Sequence, residues 1–221
     1  MKSFSDTPDA VFFDMDGLLV DTEPYWLEAE RELMAEFGVI WRETDQLFCL
    51  GGPMEKVGRY MSELADGSEE PEWFAKELIN RMANKFRKAS LMPGIAALLD
   101  EISEFNIPSA LVSASPRRLV DSVLLSVENH PFSLSLSADD VERGKPHPDP
   151  YLKAANLLQV DINNSLIIED SPTGVAAARS SGAWVIAVPH IASIQEHEKS
   201  AIIASLEGHS LNSLWNLVRS R

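Results

Sequence analysis

The sequence predicts an α/β protein in which a parallel sheet carries helices on both faces and the chain is interrupted by a helical insertion. A short apolar run at residues 10–13 is typical of a buried strand. From about residue 88 onwards, strand and helix patterns alternate, as they do in parallel sheets with right-handed crossovers. Between these regions, residues 21–87 show helical patterns and no strand pattern.

The insertion contains four helical patterns. The first begins at residues 21–24, where the sequence Asp-Thr-Glu-Pro favours a helix start, and it ends at Gly38. The others are predicted over residues 41–48, 54–64 and 73–86. Breakers rich in Gly and Pro separate them, notably Gly-Gly-Pro at residues 51–53. The sequence therefore predicts an insertion made of helices alone.

Strands and helices alternate in the rest of the chain. After a breaker at Pro93 and Gly94, strands are predicted over residues 109–112, 132–136, 165–168 and 184–188. Helices are predicted up to about residue 105 and over 117–126, 150–158 and 175–180, followed by terminal helical turns. Because ligands of such sheets bind at the carboxyl ends of the strands, we expect the functional site at that edge.

Composition and charge narrow the function classes. The chain has 221 residues, 45% of them hydrophobic, which suffices for one domain or for a core with a modest insertion. Its net charge of −15, without a Lys/Arg-rich run, argues against nucleic acid and anionic membranes as partners. The single cysteine, Cys49, excludes an intrachain disulfide and a cysteine zinc site. No signal-peptide core and no run of about 18 apolar residues occurs, so we expect a cytoplasmic protein.

Polar side chains cluster where the predicted strands end or where loops reach the same edge. They are Asp14, Asp16, Ser113, Lys145, Glu169 and Asp170. Carboxylates with spare oxygens suit Mg²⁺, which binds through one or two carboxylates together with a phosphate. Without cations, these carboxylates would repel one another and take up a proton near neutral pH. The edge therefore predicts a site for a divalent cation and a phosphorylated ligand.

The same residues resemble the motifs of the haloacid dehalogenase (HAD) superfamily. Four motifs occur in the family's order: Asp-Met-Asp-Gly at 14–17 followed by Asp21, a strand-terminal Ser113, Lys145 within Gly-Lys-Pro, and Glu169 and Asp170 before Ser-Pro-x-Gly. They frame essentially the whole chain and look closest to the sugar-phosphate phosphatase and β-phosphoglucomutase branch. The resemblance implies a Rossmann-like core of residues 1–20 and 88–221, with residues 21–87 forming a mobile helical cap over the site.

The resemblance implies a role for each matched residue. Asp14 would be the nucleophile that forms an aspartyl-phosphate, and Asp16 would protonate the leaving oxygen and then activate water. Mg²⁺ would be held by Asp14, Asp170 and the backbone carbonyl of Asp16, and Glu169 would support the ion through water. The phosphoryl oxygens would be held by Ser113, Ala114 and Lys145.

Two positions in the insertion distinguish hydrolysis from phosphate transfer within one sugar. In the mutase branch, a histidine stands five residues after the aspartate that aligns with Asp21, and an arginine follows the glycine of the cap loop. This chain has Trp26 and Glu55 at these positions, which argues against a grip on a second phosphate. The candidate cap residues for substrate contact are Trp26, Glu55 and Lys56.

The sequence therefore predicts a monomeric, Mg²⁺-dependent phosphatase acting on a small phosphorylated metabolite, and specifically on a sugar phosphate. Two alternatives stay open. One is a β-phosphoglucomutase-like phosphomutase, and the other is a non-catalytic switch protein phosphorylated on aspartate, like the receiver domains of two-component signalling. Among the neighbouring residues, Ser115 and Ser171 are expected to cap helices.

Overall fold

A computed structural model of the chain describes residues 7–49, 54–127, 129–189 and 193–220. The predicted breaker at residues 51–53 and the first six residues lie outside this part of the chain. The structure divides into two compact units, one formed by Met1–Asp21 with Ser90–Arg221 and the other by Thr22–Ala89. Within the described residues, no helix has the length and apolar character needed to cross a membrane.

The larger unit is built on a six-stranded sheet, which confirms the predicted α/β class. Its strands are β1 (Val11–Phe13), β2 (Ser109–Val112), β3 (Leu134–Leu136), β4 (Leu166–Glu169), β5 (Trp184–Ala187) and β6 (Ser200–Ile202). They lie in the order β3-β2-β1-β4-β5-β6, and every neighbouring pair is parallel. All residues of β1, β2 and β4 are buried, because helices cover both faces of such a sheet.

The helices of the smaller unit are α1 (Glu23–Ala35), α2 (Glu43–Cys49), α3 (Met54–Leu64) and α4 (Pro71–Phe86). The larger unit contributes α5 (Ile95–Glu104), α6 (Arg117–Ser126), α7 (Asp149–Leu158), α8 (Pro172–Ser181) and α9 (Leu211–Arg219), with short 3₁₀ turns at Ala138–Asp140 and Ile162–Asn164. In the smaller unit, α4 packs against both α1 and α3, and its buried face carries Phe74, Leu78, Met82 and Phe86. The described residues of the smaller unit therefore form helices and connecting segments, without a strand.

The structure differs from the sequence prediction at β6 and at helix α8. After β5, the sequence predicts only helical turns, whereas the structure has the edge strand β6 before α9. The sequence Ser-Ala-Ile at residues 200–202 is neither an apolar run nor an alternating pattern, so its strand conformation depends on pairing with β5. Helix α8 begins at Pro172 rather than at 175, because the Ser171 hydroxyl accepts the Gly174 backbone N–H at 3.0 Å and caps it. The predicted cap role of Ser171 is confirmed.

Arg117, the first residue of α6, ties this helix to β3 and to the following 3₁₀ turn. Its guanidinium donates to the hydroxyl and the carbonyl oxygen of Ser135, at 2.8 and 3.0 Å, and forms an ion pair with Asp140. Asp140 also accepts the backbone N–H and the hydroxyl of Ser137, at 2.8 and 2.6 Å. Burial alone would raise the pKa of Asp140, but the hydrogen bonds from Ser137 and Arg117 lower it to about 2.

We expect Asp140→Asn to lower the free energy of unfolding by about 1 kcal/mol at pH 7, a value discounted for the partly exposed carboxylate. Because the folded-state pKa lies below the unfolded value, the charge stabilises the fold above about pH 4, and this contribution is lost as the pH falls towards about 2. Urea denaturation of both proteins at pH 7 and pH 3 measures the effect. The difference between them should shrink at pH 3, and an equal difference at both pH values would contradict the explanation.

Candidate active site

Three carboxylates meet at the carboxyl edge of the sheet. Asp14 directly follows β1, and its backbone N–H donates to the Ile168 carbonyl of β4 at 3.1 Å, so the pairing of these strands determines its position. Glu169 is the last residue of β4, and Asp170 follows it. One carboxylate oxygen from each of Asp14, Glu169 and Asp170 lies within 4.8 Å of the others. The structure thus brings together residues that are about 155 positions apart in the chain.

Lys145 supplies the positive charge next to this cluster. Its ammonium donates to Asp14 Oδ1 at 2.5 Å and to Glu169 Oε1 at 2.6 Å. It also donates to the Val112 carbonyl at the end of β2, at 2.8 Å, and its side chain is only 3% exposed. Burial alone would lower the pKa of Lys145, but the charges of Asp14 and Glu169 raise it well above its ordinary value. All three ammonium protons have acceptors, so a phosphoryl oxygen would have to replace one of them to bind Lys145 directly.

The charge balance of the cluster fits a divalent cation. Asp170 Oδ1 is buried and has no hydrogen-bond partner among the described residues. Burial, followed by the charges of Asp14 and Glu169, raises the pKa of Asp170 to about 9. Burial and Glu169 also raise the pKa of Asp14 to about 7, although Lys145 opposes this shift. Three carboxylates with one ammonium lack positive charge, and oxygen donors of this kind are those that hard divalent cations take.

Glu169 is completely buried and accepts hydrogen bonds on both carboxylate oxygens. Oε1 accepts from Lys145 and from the Tyr151 hydroxyl at 2.7 Å. Oε2 accepts from the backbone N–H groups of Asp170 and Ser171, at 3.1 and 3.4 Å, and from the Ser171 hydroxyl at 3.3 Å. A carboxylate has about four acceptor positions, so these donors leave Glu169 little capacity for a direct bond to a cation. Support through a water molecule is the arrangement that this environment favours.

Gly174, in the first turn of α8, lets the helix approach Glu169 closely. A Cβ atom at this position would lie 1.8 Å from Glu169 Oε1 and 2.0 Å from Cδ. Such distances are far shorter than any non-bonded contact, and the carboxylate is held on both sides by hydrogen bonds. The glycine of the Ser-Pro-x-Gly sequence is therefore a steric requirement of the site.

The carboxylate of Asp16 lies against the loop that follows β2. Its Oδ2 accepts from the hydroxyls of Ser115 at 2.8 Å and of Ser113 at 3.4 Å. The Ser113 hydroxyl in turn accepts the Ser115 backbone N–H at 2.9 Å. The predicted cap role of Ser115 is wrong, because Pro116 occupies the cap position of α6 and the backbone N–H of Arg117 donates to the Asp139 carboxylate at 2.8 Å. Ser115 lies one residue too early for capping, and its hydroxyl donates to Asp16 instead. Ala114, between the two serines, is exposed.

Two of the three predicted substrate residues of the smaller unit, Trp26 and Lys56, have contacts within that unit. Trp26 packs edge-to-face against Phe86, with ring centroids 6.0 Å apart. Lys56 donates to the Phe48 carbonyl at 2.5 Å, and its ammonium lies 4.3 Å from the centre of the Phe48 ring. Glu55 is exposed. A role of these residues towards a substrate stays a prediction.

Sequence reasoning missed three hydroxyl groups that donate to predicted site carboxylates. These belong to Tyr151 and Ser171, which donate to Glu169, and to Ser115, which donates to Asp16. A signal for Tyr151 was present, since it lies six residues after Lys145 and in the first turn of a helix with an apolar face. A buried tyrosine there requires a partner for its hydroxyl. No comparable signal existed for Ser115, which looks like an ordinary residue before a helix.

Comparison with known proteins shows that this chain is similar to hydrolases, including named phosphatases. The sequence pattern described as haloacid dehalogenase-like hydrolase matches residues 11–188. Hexitol phosphatase B of Escherichia coli (strain K12) is 30% identical over 209 residues, which cover 93% of each protein. The bifunctional riboflavin kinase/FMN phosphatase of Arabidopsis thaliana is 29% identical over 192 residues, or 86% of this chain. The match covers 51% of that relative, so the chain spans about half its length.

The fold also matches solved structures. The crystal structure of β-phosphoglucomutase from Clostridium difficile superimposes with a TM-score of 0.78 at 23% sequence identity, covering 97% of this chain and all of that chain. At this level of identity the likeness concerns the fold alone. It agrees with the parallel sheet and the flanking helices described above.

Proposed function

This chain belongs to the haloacid dehalogenase-like hydrolase family, and we propose that it is a Mg²⁺-dependent phosphatase for a small phosphorylated metabolite of the sugar-phosphate class. One observation carries the proposal. The oxygens of Asp14, Glu169 and Asp170 lie within 4.8 Å of one another, and the Lys145 ammonium bridges two of these carboxylates. Such an arrangement suits a cation and an anionic substrate that share the site.

In the proposed mechanism, Asp14 and Asp16 divide the work of the reaction. A carboxylate oxygen of Asp14 attacks phosphorus, the bond from phosphorus to the substrate oxygen breaks, and Asp16 gives its proton to that departing oxygen. Water then attacks the aspartyl-phosphate, Asp16 takes a proton from the water, and the bond between phosphorus and Asp14 breaks. Inorganic phosphate leaves, and both aspartates return to their starting states.

The other residues bind and orient. Asp14, Asp170 and the backbone carbonyl of Asp16 would hold the metal ion, with Glu169 supporting it through water. When bound, the ion would neutralise charge on the transferring phosphoryl group and orient it for in-line attack. Ser113 and Lys145 would hold phosphoryl oxygens, together with the backbone at Ala114, which is an exposed residue. Lys145 also orients Asp14, since the two side chains form a buried ion pair.

The helical unit Thr22–Ala89 is proposed to act as the cap. It lies in the chain between β1 and α5, where the two chain connections to the larger unit, near Asp21 and Ser90, would serve as hinges. Trp26, Glu55 and Lys56 are the proposed substrate contacts of this unit. Closure of such a cap would exclude water other than the hydrolytic molecule.

Hydrolysis and phosphate transfer within a sugar are separated by one experiment. The protein is incubated with hexose monophosphates and Mg²⁺, and both inorganic phosphate and isomerised sugar phosphate are measured. Release of inorganic phosphate supports the phosphatase, whereas isomerisation without release supports the phosphomutase. The switch-protein alternative predicts neither product, and it also fits poorly with the match to a hydrolase family.

We expect a chelator such as EDTA to abolish phosphate release, because three clustered carboxylates, two of them buried, with a single ammonium cannot bind a phosphate dianion without additional positive charge. Added Mg²⁺ should restore the rate. The measurement is the initial rate of phosphate release from a panel of phosphorylated metabolites, each with Mg²⁺ and with EDTA. Turnover that persists in EDTA would contradict the metal requirement.

A further inference from the structure

Tyr151 is a buried phenol that the proposed mechanism leaves unused. It lies in the first turn of α7 and is 0% exposed. Its ring packs edge-to-face on Phe12 of β1, with centroids 6.4 Å apart, and the Lys145 ammonium lies 5.0 Å from its centre. Its hydroxyl donates to Glu169 Oε1 at 2.7 Å. One side chain therefore contacts the central strand, the lysine and a carboxylate of the cluster.

The hydroxyl matters because it shares an acceptor with Lys145. Glu169 Oε1 receives the Tyr151 proton at 2.7 Å and a Lys145 proton at 2.6 Å, so two donors from different elements orient one oxygen. Packing alone does not require this arrangement, since phenylalanine would fill almost the same volume without a buried polar group.

Among the described residues, loss of the hydroxyl would leave Lys145 as the only side-chain donor to Glu169 from outside the β4–α8 turn. The ammonium would then be drawn towards Glu169 and away from Asp14, to which it is now bound at 2.5 Å. Both changes alter the charge distribution at the three clustered oxygens.

We propose that Tyr151 is a positioning residue that orients Glu169, keeps the Lys145 ammonium on Asp14, and thereby maintains the carboxylate cluster in its cation-binding arrangement. The expected effect of Tyr151 on catalysis rests on the proposed function. The expected effect on cation affinity is independent of that function, because it follows from the geometry of the carboxylate cluster. The two consequences are therefore measured separately.

The test is Tyr151→Phe, which removes one oxygen and retains the ring. Tyr60→Phe is the matched control, because the Tyr60 hydroxyl also donates to a carboxylate, Asp45 Oδ1, at 2.8 Å within the helical unit. The first readout is the dissociation constant for Mn²⁺, measured without substrate from the electron paramagnetic resonance signal of the free ion. The second is kcat and KM for phosphomonoester hydrolysis. The thermal unfolding midpoints of the parent protein, Tyr151→Phe and Tyr60→Phe are measured as well.

We expect Tyr151→Phe to weaken Mn²⁺ binding about tenfold and to lower kcat by about 10- to 100-fold, the range typical of residues that orient metal ligands. KM should change much less, and Tyr60→Phe should match the parent protein in both readouts. An unchanged Mn²⁺ dissociation constant in Tyr151→Phe would overturn the proposal, even if the unfolding midpoint fell. If the parent protein bound Mn²⁺ but hydrolysed no phosphomonoester, the proposed function would fail, and the Mn²⁺ comparison would still decide the role of Tyr151.

Discussion

Asp14→Asn is expected to lower phosphate release by at least about 10³-fold while leaving the fold intact. An amide cannot displace the leaving group from phosphorus as a carboxylate does, so the covalent route is lost. Stability should stay the same or rise. Asp14 is a buried charge close to Glu169 and Asp170, and its removal relieves repulsion that raises the pKa of Asp170.

The measurement combines the steady-state rate with the thermal unfolding midpoint. Asp9→Asn is the matched control, because Asp9 lies at the opposite, amino end of β1, where its carboxylate accepts from the Asn164 side chain at 2.6 Å. This control should retain the parent rate within about twofold, since surface substitutions away from a site usually have small effects. Hydrolysis by Asp14→Asn at the parent rate would rule out Asp14 as the nucleophile.

Gly174→Ala is expected to destabilise the protein and to inactivate it, against the usual preference for alanine in helices. Within a helix, replacing glycine by alanine ordinarily stabilises by about 0.5–1 kcal/mol. Here the new Cβ would lie 1.8 Å from Glu169 Oε1, and this carboxylate is completely buried and hydrogen-bonded on both oxygens. The overlap should dominate, with a net loss of about 1–3 kcal/mol in the free energy of unfolding.

Displacement of Glu169 should also lower kcat by about 100-fold, because Glu169 orients Lys145 and the turn that leads into α8. Urea denaturation and initial rates measure the two effects. Thr173→Ala, at an exposed position in the same turn of the helix, should leave both quantities close to those of the parent protein. If Gly174→Ala were as stable and as active as the parent, the close approach of α8 to Glu169 would be required neither for folding nor for activity.

Much of the fold could be predicted from the sequence because its elements have local causes. The buried strands are short apolar runs, and helices such as α3 and α6 bury one face whose residues recur at helical spacing. The edge strand β6 escaped prediction, since three residues of mixed character acquire a strand conformation only by pairing with β5. The cap of α6 was misjudged for a related reason: which residue occupies the cap position depends on the path of the whole loop after β2.

For the candidate site, too, some features follow from the sequence and others only from the tertiary structure. By itself, the sequence determined which carboxylates and which lysine stand at strand ends and loops, and hence that a cation and an anion could meet there. Only the tertiary structure decided which donors those groups share: Tyr151 and Lys145 on one oxygen of Glu169, and Ser115 on Asp16. The physical reason is the distance along the chain between the residues that determine each feature. Strand ends and helix starts depend on neighbouring residues, whereas the orientation of a buried carboxylate depends on hydrogen bonds from elements far away in the chain.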